Sequence, residues 1–462
     1  MSDHAKPNII LINCDDLGYG DLGCYGSTVH KTPRLDQLAA EGMRFTSHYV
    51  GSPVCSASRA ALLTGCYPQR VGMPGVLFPG QEIGLNPDEE TIASRLKQQG
   101  YATQIVGKWH CGDQPEFLPT RFGFDHYFGI PYSNDMGRQV RPDGQPIVKP
   151  PLPLLRDEGV IQQQPDQASL TERYMEESVR FIRANRKQSF FLYLPHMYVH
   201  VPIYVPQRFL AENPNPYAGA VACIDWVTGV IMQELRELGL DDNTLVIFTS
   251  DNGSRCDYGN SNGALRGYKA TTWEGGQRVD CIMRWPTKIP AGTVCNEMTT
   301  AMDFLPTFDA LVGNDEPPAK PIDGKNITPL MFGDADATSP HEGFAYYRDQ
   351  RLNAVRKGDW KLHFHAALND EKRWDVTPAT LLYNLADDVV EQNNLYDQNP
   401  DKVAELTAFA DQFRRELGDT HSGIEKGEGC REPGRVENAK PLTDFDENYP
   451  YYMAEYDLPH VG

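Results

Sequence analysis

Short apolar runs alternate with segments of helical period through most of this chain. The run at 8–13 is continuous and rich in isoleucine, which is typical of a strand buried on both faces. The predicted elements are strands at 8–13, 101–108, 189–194 and 244–249 and helices at 33–42, 91–99, 170–186 and 217–238. Thr32 before Pro33 is a typical helix start. The alternation predicts an α/β fold, a large and mostly parallel sheet sandwiched by helices.

The pattern changes near Gly343. Segments 344–348, 353–356 and 360–364 are predicted to be short strands separated by polar turns, and 403–417 has helical period. We therefore predict a larger α/β domain over 1–342 and a smaller, antiparallel α+β domain over 343–462. The residues after Gly418 are polar, and we expect them to form a wrapping tail.

Composition narrows the class of protein. Hydrophobic residues make up 40% of the 462 positions, which suits a folded protein with a large core. The formal charge of −20 argues against nucleic acid and anionic membrane surfaces as partners. No apolar run reaches the length of about 18 residues that a membrane span needs.

Two further expectations concern the cellular compartment. No signal peptide is visible near Met1, so we expect a cytoplasmic location, or a periplasmic or secreted one if a leader was removed. The ten cysteines form no Cys-x-x-Cys pair and are expected to be mostly reduced thiols.

Cys55 is the most informative of these cysteines. The apolar run at 60–63 follows it closely, which places it at a predicted helix N-terminus, where free N–H groups favour an anion. For a lone cysteine, a buried structural thiol would be the preferred interpretation. Other residues change that balance.

Several chemically capable side chains follow predicted strands. In parallel sheets such positions converge at the carboxyl edge, where sites form. The residues concerned are Asp15, Asp16, Lys108, His110, His196, His200, Asp251 and Asn252, with Lys269 in a glycine-flanked loop. Each alone is more often a turn residue, a helix cap or a solvated side chain. Their convergence with Cys55 and Arg59 predicts a site.

The acidic members of this set suggest a metal. Asp15, Asp16, Asp251 and Asn252 offer only oxygen ligands, which suit Ca²⁺, with Mg²⁺ as the alternative, and not zinc. Three carboxylates, three cationic side chains (Arg59, Lys108 and Lys269) and a divalent ion would leave the pocket with two positive charges. Such a pocket suits an anionic substrate within an acidic protein.

The sequence resembles the formylglycine-dependent sulfatases. Segment 55–59 reads Cys-Ser-Ala-Ser-Arg and 62–65 reads Leu-Leu-Thr-Gly, which match that family's signature, with alanine in place of the commoner proline. Segments 8–21, 107–110, 248–253 and 267–276 resemble its metal and lysine motifs, and 128–133 is similar to the arylsulfatase A and N-acetylgalactosamine-6-sulfatase branch. The resemblance implies an alkaline phosphatase-like fold.

The resemblance also implies roles. Cys55 would be oxidised by a maturase to Cα-formylglycine, whose hydrate would attack sulfur and later release sulfate. Asp15, Asp16, Asp251, Asn252 and the modified Cys55 would bind the cation. The remaining roles would be as follows: Arg59 holds the hydrate, Lys108 neutralises a sulfate oxygen, His110 is the base for sulfate release, and His200 and Lys269 protonate or stabilise the leaving oxygen.

The implied function is a sulfate ester hydrolase that acts on a sulfated carbohydrate. His196 and Arg266 are candidates for substrate binding, with a core histidine and a surface salt bridge as the respective alternatives. Two other functions stay open: a phosphate or phosphonate ester hydrolase of the same superfamily, and a non-catalytic protein that binds sulfated glycans.

Overall fold

The computed structural model describes residues 6–140, 145–147, 149–258, 261–369 and 372–445. Its strands are β1 Asn8–Cys14, β2 Met43–Tyr49, β3 Ile83–Gly84, β4 Ala102–Val106, β5 His126–Gly129, β6 Gln139–Val140, β7 Pro146–Ile147, β8 Pro153–Arg156, β9 Gly159–Gln163, β10 Phe190–Pro195, β11 Thr244–Ser250, β12 Arg278–Arg284, β13 Thr293–Cys295, β14 Thr299–Thr300, β15 Gly343–Arg348, β16 Arg351–Lys357, β17 Trp360–Ala366, β18 Thr377–Asn384 and β19 Gly434–Arg435. The α-helices are α1 Pro33–Ala40, α2 Cys55–Thr64, α3 Ile92–Gln98, α4 Gln167–Ala184, α5 Gln207–Glu212, α6 Pro216–Glu237, α7 Glu274–Gln277, α8 Phe304–Leu311, α9 Thr328–Phe332 and α10 Pro400–Leu417.

Five parallel strands form the centre of the main sheet. Their order is β11-β1-β10-β4-β5, and β1, β10 and β11 are buried along their whole length. The sheet continues through β12 and β2 on one side and through β8 and β9 on the other, where β12 and β8 run antiparallel to their neighbours. The predicted mostly parallel sheet is confirmed.

Two hydrophobic cores lie on opposite faces of this sheet. Ile9 and Leu11 of β1 belong to one core, and Ile10 and Ile12 belong to the other. Helices α2, α3 and α8 pack on the first face, and α1, α4 and α6 pack on the second. Continuous apolar strands are the sequence signature of this two-sided burial.

Strands β15 to β18 form a separate four-stranded antiparallel sheet, on which α10 packs. The predicted second domain is thus an antiparallel α+β unit, although β18 was not predicted. Its first residues, Thr377 and Pro378, are polar or lack an N–H donor, as is usual for an edge strand. Tyr49, Ala61 and Tyr67 of the first domain share this domain's core.

The described part of the tail, 419–445, returns to the first domain. Its strand β19 pairs with β3, and Arg431 makes a 2.7 Å ion pair with Glu89. The rest of the predicted tail, 446–462, lies outside the described residues.

Among the described residues, α6 alone is long and apolar enough to cross a membrane by length and composition. The most apolar 18-residue segment of this helix is 67% buried inside the protein. It packs against α1, α4 and α5.

Candidate active site

The parallel pairing of β1 and β11 brings two acidic segments together. Cys14 and Ser250, the last residues of these strands, are partners in register. Asp251 N–H donates to the Cys14 carbonyl at 2.9 Å, and Asp16 N–H donates to Asp251 Oδ1 at 3.2 Å. Asp15, Asp16, Asp251 and Asn252 are all buried at this edge.

Arg59 and Lys108 hold one side of this acidic group. Arg59 is fully buried and places Nη2 2.8 Å from Asp251 Oδ2 and 3.4 Å from Asp15 Oδ2. Lys108 donates to Asp15 Oδ2 and, at 3.2 Å, to Ser133 Oγ. Burial alone would raise the pKa of Asp15, but Lys108 and the other nearby cationic groups lower it below its usual range.

Lys269 holds the other side. Its Nζ lies 2.6 Å from Asp16 Oδ1, which also accepts a 2.8 Å hydrogen bond from Asn252 Nδ2. Burial opposes charge on both partners, yet the pKa of Lys269 is raised by Asp16, and the pKa of Asp16 is lowered by Lys269. The pair is therefore ionised.

Three oxygen atoms of this cluster lack a hydrogen-bond partner among the described residues. They are Asp15 Oδ1, Asp16 Oδ2 and Asn252 Oδ1. Each carboxylate thus gives one oxygen to a cationic side chain and leaves the other free. Asp15, Asp16 and His200 can each bring a ligand atom within 4.8 Å of the others. Unpaired buried oxygens with this spacing fit a hard cation.

Asp251 is engaged differently. Its Oδ2 accepts from Arg59 and its Oδ1 accepts from the backbone of Asp16. Burial and then the neighbouring Asp15 raise the pKa of Asp251 to about 6, although Arg59 acts in the opposite direction. A carboxyl of this kind can exchange a proton near neutral pH.

Cys55 is the first residue of α2 and lines a cavity of about 460 Å³ together with His200 and Lys269. The helix N-terminus therefore faces this cavity, as predicted from the apolar run that follows. Burial raises the pKa of the Cys55 thiol, although Lys108 and Lys269 oppose this. An unmodified Cys55 would be neutral and a weak nucleophile.

The two histidines nearest the cluster have distinct hydrogen bonds. His110 Nε2 lies 3.1 Å from the Leu77 carbonyl, which it can reach only as a donor, and Nδ1 has no hydrogen-bond partner among the residues described. His200 Nδ1 lies 2.6 Å from the Val201 carbonyl, and Nε2 lies 3.8 Å from Asp16 Oδ2. Burial lowers the pKa of both rings, so both are neutral.

Two predicted substrate-binding residues do not line the cavity. His196 is fully buried, and neither of its ring nitrogens has a hydrogen-bond partner in the portion of the chain that the structure describes. Arg266 lies over the Trp273 ring at 3.7 Å and donates to the Glu391 carbonyl at 2.8 Å. This places the guanidinium in the contact with the second domain, so neither residue reaches this cavity and their substrate-binding role stays a prediction.

The cavity also contains residues that were given no individual catalytic or binding role from the sequence, although segment 132–138, which includes Ser133, was expected to shape the pocket. Ser133 lies between Lys108 and His200, at 3.4 Å from the His200 ring. Arg255 and Trp374 line the outer part, and Trp374 comes from the second domain. A similarity signal covered Ser133, in the segment 128–133, but no local pattern marks Arg255 or Trp374. Two larger cavities, of about 730 and 760 Å³, contain none of the predicted site residues.

Comparison with known families covers both domains. The family described as Sulfatase matches residues 7–314, and the family described as C-terminal region of aryl-sulfatase matches residues 339–441.

Comparison with individual proteins agrees. The chain is 39% identical to arylsulfatase A of Homo sapiens over 425 residues, which is 84% of this chain and 83% of the relative. It is 39% identical to N-acetylgalactosamine-6-sulfatase of Canis lupus familiaris over 384 residues, 78% of this chain and 72% of the relative.

A solved structure, Ps i-CgsB in complex with k-i-k-neocarrahexaose, superposes with a TM-score of 0.77 at 30% identity and covers 88% of this chain and 92% of its own. Since the family match spans more than half of the chain and reaches the residues gathered at the carboxyl edge, this protein belongs to the sulfatase family and is a sulfuric ester hydrolase.

Proposed function

We propose that this enzyme cleaves a sulfate monoester of a saccharide, with Cα-formylglycine formed from Cys55 as its nucleophile and Ca²⁺ as its cation. The observation that supports this most is the shared cavity of Cys55, Lys269 and His200 beside three unpartnered buried oxygens. A neutral thiol in that place is poorly suited to attack sulfur, which supports its conversion into another nucleophile.

Asp15, Asp16 and Asn252 would hold the cation through their free oxygens, with Asp251 completing the set. The cation would supply Lewis acidity and positive charge next to residue 55. The all-oxygen character of the set favours Ca²⁺, with Mg²⁺ as the alternative. Oxidation of Cys55 would require a formylglycine-generating maturase as a partner.

Charge on the sulfate group would be balanced by Lys108 and Lys269. Both ammonium groups are buried, so their attraction for an anion is weakly screened. Arg59 is held by Asp15, Asp251 and the Lys108 carbonyl, which it reaches at 2.9 Å. It would therefore act by fixing the carboxylates and the loop that carries Lys108.

Four side chains would take part in proton transfer, either directly or by stabilising and orienting the groups concerned. Asp251, a buried carboxylate whose charge acts on Cys55, would accept the proton of the attacking hydroxyl. Lys269 would stabilise the leaving oxygen by a charged hydrogen bond, because its raised pKa keeps it protonated, whereas the neutral His200 would orient Ser133 and Asp16. His110, neutral and with a free Nδ1, would be the base that assists sulfate release.

A saccharide substrate is supported by the comparisons. One relative is an N-acetylgalactosamine-6-sulfatase, and the solved structure with a TM-score of 0.77 holds a neocarrahexaose. The overall charge of −20 supports the absence of nucleic acid and anionic membranes among its partners.

The test is co-expression with a maturase, followed by peptide mass analysis of residue 55 and turnover of 4-nitrophenyl sulfate and 4-nitrophenyl phosphate. We expect an aldehyde at residue 55 and faster cleavage of the sulfate ester. Faster cleavage of the phosphate ester would favour a phosphate or phosphonate hydrolase. An unmodified thiol with no turnover of either ester would favour a non-catalytic glycan-binding protein.

A further inference from the structure

Two large aromatic side chains at the mouth of the active-site cavity are unusually exposed. Phe78 is 57% exposed and Trp374 is 52% exposed, and both line the cavity. The described residues contain only three other exposed large hydrophobic side chains, and none of these lines the cavity: Val29, Val294 and Leu368. Because both rings line the cavity that contains Cys55, they offer apolar surface to a ligand bound there.

Trp374 is held in place from the side of the catalytic loop. The Arg348 guanidinium lies 4.2 Å from the centre of its ring, and Arg348 itself is 7% exposed. The same guanidinium donates to the Ala270 carbonyl at 2.9 Å, and Ala270 follows Lys269. The indole is therefore fixed relative to the catalytic lysine, although it belongs to the other domain.

Phe78 is fixed through its neighbour Leu77. The Leu77 N–H donates to Ser56 Oγ at 3.0 Å, and the Leu77 carbonyl accepts from His110. The Phe78 N–H donates to Gln81 Oε1 at 2.9 Å. The backbone before the phenyl ring is thus tied to the residue next to Cys55 and to the proposed base.

Carboxylates accompany the two rings. Asp135 and Asp349 line the same cavity, and the buried Asp135 Oδ1 has no hydrogen-bond partner within the described part of the chain. Arg255 also lines it, but its guanidinium is paired with Asp257 at 2.7 Å. A flat apolar ligand would leave the Asp135 oxygen desolvated and unpaired, which is unfavourable. A ligand with hydroxyl groups would satisfy it.

We propose that Phe78 and Trp374 form an aromatic clamp that holds the pyranose ring of a sulfated saccharide, with Asp135 accepting a hydrogen bond from a ring hydroxyl. The apolar C–H face of a sugar stacks on the face of an aromatic ring, where the electrostatic potential is negative. The sugar hydroxyls then point to the side. The acidic rim disfavours a second sulfate on that ring, so the ring carries the scissile sulfate only. This inference deepens the proposed function and rests on it.

The experiment compares kcat/KM for hexose monosulfates, sulfated at each ring position, with that for 4-nitrophenyl sulfate. We expect Trp374→Ala and Phe78→Ala to lower kcat/KM for the preferred hexose sulfate about tenfold to 100-fold, mainly through KM. Trp374→Phe should restore most of the loss. The inhibition constant of inorganic sulfate should not change in these variants, because the rings contact the sugar and not the sulfate.

Asp135→Asn separates sugars from flat aromatic ligands. It should lower kcat/KM for the hexose sulfate about tenfold and leave 4-nitrophenyl sulfate within about twofold. Leu368→Ala, which removes another exposed side chain of the second domain, is the matched control and should leave kcat/KM for both substrates unchanged.

Two results would overturn the clamp. One is wild-type kcat/KM for hexose sulfates in both Trp374→Ala and Phe78→Ala. The other is a matured wild-type enzyme that cleaves 4-nitrophenyl sulfate but none of the hexose monosulfates, which would leave the sulfatase chemistry intact. Failure to cleave any sulfate ester would instead contradict the proposed function itself.

Discussion

Lys361 offers the sharpest test of how the two domains are joined. Its Nζ lies 2.9 Å from Glu274 Oε1, in the first domain, and 3.0 Å from Glu391 Oε1, in the second. All three side chains are fully buried. Lys361→Met keeps the length and bulk of the side chain but leaves two carboxylates without their shared cation.

The expected loss follows from that geometry. Removing one partner of a buried ion pair costs about 3–5 kcal/mol, because the remaining charge stays desolvated. Glu274 keeps Tyr49, Tyr346 and Arg278 as partners, whereas Glu391 keeps His363 at 2.8 Å and the Glu274 N–H at 2.8 Å. We therefore expect the free energy of unfolding to fall by about 3 kcal/mol, the lower end of that range.

The assay is denaturant unfolding of wild type, Lys361→Met and the double variant Lys361→Met with Glu391→Gln. The double variant should be more stable than the single one, because the amide carries no charge that needs a partner. Lys357→Met is the control, since its pair with Glu342 is largely solvated. The reasoning would be refuted if the single variant were as stable as wild type, or if the double variant were less stable than the single one.

Three further predictions follow, two on the site and one on a buried histidine. Lys108→Ala and Lys269→Ala should each lower kcat for 4-nitrophenyl sulfate at least about 10²-fold with unchanged circular dichroism, because each removes a fixed charge from the reacting anion. Ca²⁺ at 100 times its Kd should raise the free energy of unfolding by about 2.7 kcal/mol, seen as a higher thermal midpoint than with a chelator, and Asp16→Asn should abolish this rise. The third prediction concerns pH. Burial lowers the pKa of His196 to about 3, so the folded state binds fewer protons than the unfolded state between about pH 3 and pH 6.5. Acidification to about pH 5 should therefore lower the free energy of unfolding of the wild type by up to about 2 kcal/mol more than that of His196→Met. The control His126→Asn, at an exposed position, should lose as much stability as the wild type.

The buried centre of the fold could be predicted because burial on both faces leaves a clear pattern in the local sequence. Strands covered on both faces must be apolar at every position, so β1, β10 and β11 were predicted within one residue or two of their bounds. Strands β2 and β12 were not predicted. The β2 sequence mixes Arg44, Thr46 and His48 with apolar residues, and its place beside β12 depends on pairing far along the chain.

The inner part of the site could likewise be predicted from the sequence, whereas its outer part could not. Asp15 and Asp251 follow strands, and parallel register alone brings strand ends together. Arg266 shows the limit of that rule, since it lies three residues before Lys269, yet its side chain turns towards Trp273 and the second domain. Trp374 enters the cavity only because the domains pack against each other, which no local pattern encodes.

The charges of the inner site explain why the outer part is also needed to select a substrate. Asp15, Asp16 and Asp251 match Arg59, Lys108 and Lys269 in number, so the protein groups alone give a pocket with no net charge inside a chain of charge −20. A divalent cation on the free oxygens would add the positive charge that attracts a sulfate ester. That attraction does not distinguish one ester from another, because every candidate substrate carries the same sulfate group. Discrimination between substrates must therefore come from the rim, where Phe78, Trp374 and Asp135 meet the rest of the molecule.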